Sequence, residues 1–200
     1  MPITINGNGT ITGLAVGGLP DGTVDADTLA SGAITSSALP TGSVIQVKSA
    51  SKTDAGSKSS TQSYDIPGLS VSITPTSASN KIFIIFNLNI QSSGSFGGDV
   101  VRLVRDSTNI CFADAAGTRI RGCNAVVRHE VGDNYDYTGE SIVNSFLDSP
   151  GDTNAHTYKI NLYDHTANNT VWINRDREDG GDSSGYRRTV STITVMEIKG

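Results

Sequence analysis

The chain has 200 residues, with 15 Lys and Arg against 20 Asp and Glu and a formal net charge of −5 at neutral pH. With 36% hydrophobic and 6% aromatic residues it has enough apolar material for a folded domain, which argues against disorder throughout. No basic stripe of the kind nucleic acid requires is visible, and the longest apolar run, IFIIF at 82–86, is far too short for a membrane-spanning helix.

Residues 1–12 begin MPITINGNG, with neither a basic start nor an apolar stretch, so classical secretion is not expected. ITINGNGTI reads as a small hairpin around an Asn-Gly turn. Its apolar residues Ile3, Ile5 and Ile11 suit a short anchor that plugs into a larger assembly.

Residues 13–42 repeat with a period of ten. Leu19, Leu29 and Leu39 recur, as do Gly22, Gly32 and Gly42, and Val24, Ile34 and Val44. Glycine marks a tight turn, and the β-branched residue suits a short extended piece. DADTLA and TSSALP could each form one helical turn, with Asp25 or Thr35 as N-cap. The first 42 residues contain no aromatic, Cys, Lys or Arg. Such a segment cannot offset the roughly 1–2 kcal/mol per residue that ordering its backbone costs. A shaft of identical chains, each pointing Leu19, Val24, Leu29, Ile34, Leu39 and Val44 inward, would bury them.

Residues 43–200 change to period two. In KIFIIFNLNIQ, Ile82, Ile84, Phe86, Leu88 and Ile90 share one face, while Phe83 and Ile85 make the other apolar at one end, where a second sheet or a neighbouring subunit would sit. Further strands are expected in SVIQVKSA, DVVRLVRD, NAVVRHEV, ESIVNSFL, HTYKINLYD, NTVWINR and TVSTITVMEIK, with two short ones around Pro67-Gly68. Gly, Asn, Asp and Pro clusters separate them, and no amphipathic helix is evident. The pattern is all-β, an antiparallel sandwich of jelly-roll type. The last strand is apolar on both sides, Ile193 and Val195 against Met196 and Ile198, which suits a sheet interior or a subunit interface.

Chemistry-bearing motifs are sparse. There is no G-x-S-x-G elbow, P-loop or H-E-x-x-H motif, and neither catalytic residues nor a cofactor is expected. Cys111 and Cys123 read as buried free thiols, although they could pair, and His129, His156 and His165 as solvated loop residues. Asp176, Glu178, Asp179 and Asp182 surround two glycines and form a candidate calcium loop, but Arg175 and Arg177 interleave with them and D-x-D-x-D-G spacing is absent. Trp172, between Val171 and Ile173, reads as core or interface packing. Tyr135, Tyr137 and Tyr186 lie in polar loops and are the candidate receptor contacts, since sugar rings stack on such faces.

The run GLPDGTVDADTLASGAITSSALPTGSVIQV resembles the repeat-bearing stems of fibre proteins from tailed bacteriophages, those of cyanobacterial phages above all. GLSVSITPTSASNKIFI, LVRDSTNI, SFLDSPGDTNAHTYKI and STITVMEI resemble the short globular domain of phage fibre and virion proteins. The resemblance spans residues 3 to 198. It implies an intertwined homotrimer assembled in the host cytoplasm and carried on the virion. Residues 1–12 would contact tail or capsid proteins, 13–42 would form the stalk, and the 43–200 body would meet the host surface, a glycan being the expected ligand. The alternatives are a capsid decoration or head-fibre protein, and a polysaccharide depolymerase using an acid pair such as Asp133 and Glu140.

Overall fold

The computed structural model describes the side chains and backbone of residues 31–59, 61–92, 99–126, 139–179 and 184–200, and the backbone of two short strands near the N-terminus. The chain divides into two compact units, Met1–Leu39 and Pro40–Gly200.

In the first unit, β1 (Thr4–Ile5) and β2 (Ile11–Thr12) pair antiparallel, with Ile5 opposite Ile11. The turn between them, Ile3, and the repeat residues Leu19, Val24 and Leu29 lie outside the described residues. TSSALP forms one 3-10 turn, Ser36–Ala38. Thr35 occupies its N-cap without a side-chain capping bond; its hydroxyl lies 2.6 Å from the Ser37 hydroxyl instead. Ile34 is 60% exposed and Leu39 half-buried.

The second unit is all-β and sandwich-like. It contains β3 (Val44–Lys52), β4 (Gly56–Lys58), β5 (Ser63–Ile73), β6 (Lys81–Ser92), β7 (Asp99–Arg105), β8 (Thr108–Ile110), β9 (Asn124–Ala125), β10 (Glu140–Asp148), β11 (His156–Asp164), β12 (Val171–Ile173) and β13 (Ser191–Ile198). Every pairing is antiparallel. One sheet has six strands and is centred on β6. Its one edge pairs β10; its other pairs β13 along the first half and β12 along the last residues. Beyond β13 lies β3, and beyond β12 lies β4. The other sheet has five strands in the order β5-β11-β7, with β8 and β9 sharing the far edge of β7.

Period two decides what lies between the sheets. Ile82, Ile84, Phe86, Leu88 and Ile90 of β6 are all buried, as the alternation requires, and join Leu69, Ile73, Leu103, Tyr158, Ile160 and Leu162 of the other sheet in one core. In β13 the inward face is Ser191, Ile193, Val195 and Glu197, while Met196 and Ile198 remain half-buried on the other side.

Several elements depart from expectation. The two strands anticipated around Pro67-Gly68 are one, β5, with an irregularity opposite Ile160. β5 is an edge strand, where a missing proline N–H costs no ladder bond on the open side. Gly68, at φ +83°, supplies the backbone conformation that lets the extra residues loop out. NAVVRHEV contributes only β9 before the described residues end at 126. β4 and β8, three residues each, lack enough length to show a period. Trp172 is not in the core: its neighbours Val171 and Ile173 are fully buried, so alternation turns it to the opposite face, half-buried beside Arg177.

Candidate functional site

On the five-stranded sheet, register aligns Asp65 of β5, Asn161 of β11 and Arg102 of β7 in one row across the outward face. Asp65 accepts from Lys159 at 2.6 Å and from the Asn161 amide at 2.8 Å. That amide also donates to the Ser63 hydroxyl at 3.1 Å. Burial opposes the charge of Asp65, but the bonds from Lys159 and Asn161 outweigh it and lower its carboxyl below the ordinary range. The Arg102 guanidinium stacks 3.5 Å from the centre of the Tyr163 ring, and Arg121 stacks 4.4 Å from that of Phe112. Ser63, Asp65, Arg102, Asn109, Lys159 and Asn161 thereby line a polar groove of about 270 Å³. Sequence reasoning missed it. The available signal was the alternation of β11, where Lys159, Asn161 and Tyr163 fall opposite Tyr158, Ile160 and Leu162.

The loop after β12 carries the candidate calcium ligands. Asp176 is buried and accepts from the Arg187 backbone N–H at 2.9 Å. Asp179 is clamped between Arg188 at 2.6 Å and Arg175 at 2.7 Å, which together lower its carboxyl below the ordinary range. Glu178 is exposed, and Asp182 lies outside the described residues. Among the described residues no three His, Cys, Asp or Glu side chains are grouped to hold a metal ion. Tyr186 is half-buried in the bend before Arg187; Tyr135 and Tyr137 lie outside the described residues. Glu140 lines a cleft of about 120 Å³ with Arg175, Asp176 and Arg187, while Asp133 is outside the described residues.

The six-stranded sheet has an apolar outer face. Val47, Met196, Phe83 and Leu147 stand in register across β3, β13, β6 and β10. Val47 is 55% exposed and Leu147 46%, and Ile85 and Val143 are exposed nearby. Val44, at the start of β3, is 49% exposed.

Two polar clusters stabilise the frame. Buried Glu197 accepts from Thr76 N–H and Asn80 Nδ2 at 2.6 Å, from Thr76 Oγ1 at 2.8 Å and from Gln46 Nε2 at 2.6 Å. His156, expected to be solvated, is buried instead, its ring nitrogens 2.8 Å from Asp106 and 3.1 Å from Asp152. The tight turn after β7 supplies Asp106, which closes over the ring. His165 is exposed, and His129 lies outside the described residues. Cys111 and Cys123 are free and half-buried, and burial raises both thiols, Cys123 to about 11. Compared with known proteins, the chain matches no family model and no curated protein.

Proposed function

We propose that the chain is a structural fibre of a tailed-phage virion, trimeric, anchored through residues 1–12 and attaching to host-surface glycan through its body. The observation that carries the reading is the apolar row Val47–Met196–Phe83–Leu147 on an open sheet face. An apolar face of this kind on a monomer calls for a partner, and a second copy is the simplest one. Ile34 and Val44, at the same position of successive repeats, are likewise exposed in the single chain. Gly32 and Gly42, also ten apart, both adopt positive φ, +80° and +88°, so the sequence period has a conformational counterpart.

The body reads as a jelly roll. Treating β3 with β4, β8 with β9, and β12 with β13 as single rows leaves the order β3-β13-β6-β10 facing β5-β11-β7-β8. Apart from the β7–β8 hairpin, which stays in one sheet, the chain alternates between the two sheets, the connectivity of two interleaved Greek keys. For the glycan, the groove offers a carboxylate, a carboxamide and a guanidinium in one row, groups that match the paired donors and acceptors of sugar hydroxyls. Avidity from copies on one stalk would make weak contacts useful.

Sedimentation of the full chain at micromolar concentration tests the reading: a trimer is expected, and a well-behaved single-chain species refutes it. Removing residues 1–12 is expected to leave that trimer intact but unable to join particles. Normal incorporation of the truncated chain would remove the anchor assignment. Immunogold labelling of particles separates the two locations, a few copies at one vertex for a tail fibre and many over the shell for a capsid decoration.

A further inference from the structure

Lys58 of β4 is a fully buried charged residue, with no exposed side-chain surface. Its Nζ lies 2.9 Å from Asp164 Oδ2, whose side chain is equally inaccessible, and 3.9 Å from Asp99 Oδ1. The arrangement is built by topology. Asp164 ends β11 and Asp99 begins β7, and the two are partners in register on one sheet. Lys58 comes from the edge of the other sheet, 106 residues from Asp164. Asp164 Oδ1 accepts from both the backbone N–H and the hydroxyl of Thr166, at 2.9 Å each. Its Oδ2 also accepts from the Asn169 N–H at 2.9 Å. Asp99 is held by Ser92 Oγ at 3.0 Å and Asn169 Nδ2 at 3.1 Å.

A buried ammonium and two buried carboxyls are costly to keep charged. Condensing two of them into an amide removes both charges. We propose that Lys58 and Asp164 form an intramolecular isopeptide bond that ties the two sheets together, with Asp99 as the acid that relays the protons.

Burial opposes the charge of Asp164, but the bonds from Lys58, Asn169 and Thr166 outweigh it and lower its carboxyl to about 2, so the resting contact is an ion pair. Transfer of one proton from Lys58 to Asp164, the uphill first step, leaves an amine against a carboxylic acid. The amine nitrogen attacks Cγ of Asp164, and the new N–C bond pushes an electron pair onto Oδ1. The two Thr166 donors already aimed at Oδ1 receive that charge, as preorganised donors do in acyl transfer. Asp99, in its carboxylic acid form, protonates Oδ2 as the C–O bond breaks and takes back the second proton of the nitrogen. One amine and one carboxylic acid yield one amide and one water, with no oxidant or reductant. Burial first, helped by the negative charge of Asp164, raises the carboxyl of Asp99, which favours the acid form this relay needs. Holding the reacting groups in contact inside a folded core supplies the effective concentration the slow condensation requires.

The test is mass spectrometry of the full natural chain, taken from material with cooperative thermal melting and a β-sheet circular dichroism spectrum, then denatured and digested with trypsin. The expected result is an intact mass lower by one water, and a branched peptide joining Lys58 to Asp164 with no cleavage after Lys58. The D99N variant, which keeps the shape but cannot relay protons, is expected to give the full mass and separate linear peptides. A full mass and linear peptides from the folded natural chain would overturn the proposal and leave a buried ion pair. A branched peptide in D99N would overturn the role of Asp99.

Discussion

Single side chains in this body are set by their neighbours more than by their own type. His156 shows it. Burial disfavours its charged form, yet Asp106 and Asp152 outweigh that and raise its pKa above the ordinary histidine value. A raised folded-state value stabilises the fold fully below the unfolded value of about 6.5, and the contribution disappears as pH rises through the folded value. His156→Gln is therefore expected to lower stability by roughly 1–2 kcal/mol at pH 6 and by clearly less at pH 9, read from urea melts at both pH values. Glu197 has the opposite sign. Its carboxyl is lowered because the bonds from Asn80, Gln46 and Thr76 outweigh burial, so its contribution is present above the unfolded value and lost as pH falls through the folded one. Glu197→Ala, which orphans those donors, is expected to cost about 2–3 kcal/mol at pH 7 in the same melts. Cys123, raised to about 11, should react with iodoacetamide at pH 8 roughly 100-fold more slowly than an unperturbed thiol, by thiolate fraction alone. A quantitative labelling time course checks it.

At the scale of elements, β6 and β5 make the instructive pair. β6 alternates from Lys81 to Ile90, before Gln91 and Ser92 are buried as well, and sits between partners on both edges. Truncating its fully buried Leu88 to Ala is expected to cost about 2–5 kcal/mol, read as a shift in denaturation midpoint. β5 carries Pro67-Gly68, and local chemistry marks that pair as a strand breaker. The sheet overrides the signal, because an edge strand tolerates a bulge. An added Cβ at Gly68 would meet only Lys52 at ordinary contact distance, so Gly68→Ala isolates the backbone term. It is expected to destabilise by about 1 kcal/mol through the positive φ alone.

For the whole molecule, the deciding question is what covers the apolar row of the six-stranded sheet. If sister chains do, V47K together with L147K should keep the β-sheet circular dichroism spectrum of the full chain but dissociate it in sedimentation. Unaltered assembly would mean that the contact lies elsewhere. Both residues are already about half exposed, so placing charge there costs the single chain little, whereas at an interface the same charges would be buried unpaired.

The all-β class, the buried face of β6 and the polar turns follow from period two and turn chemistry, which are local properties that neighbouring residues carry among themselves. The ten-residue period and its lack of core-forming residues are legible in the same way. The site residues named from loop composition fared differently: the groove of Asp65, Asn161 and Arg102 and the cluster of Lys58, Asp99 and Asp164 were invisible. Each joins positions far apart in the chain through strand register or through the packing of one sheet on the other, so no short window of sequence contains it. Register and sheet order arise only when distant strands compete to bury the same apolar surface, and that competition is settled in three dimensions.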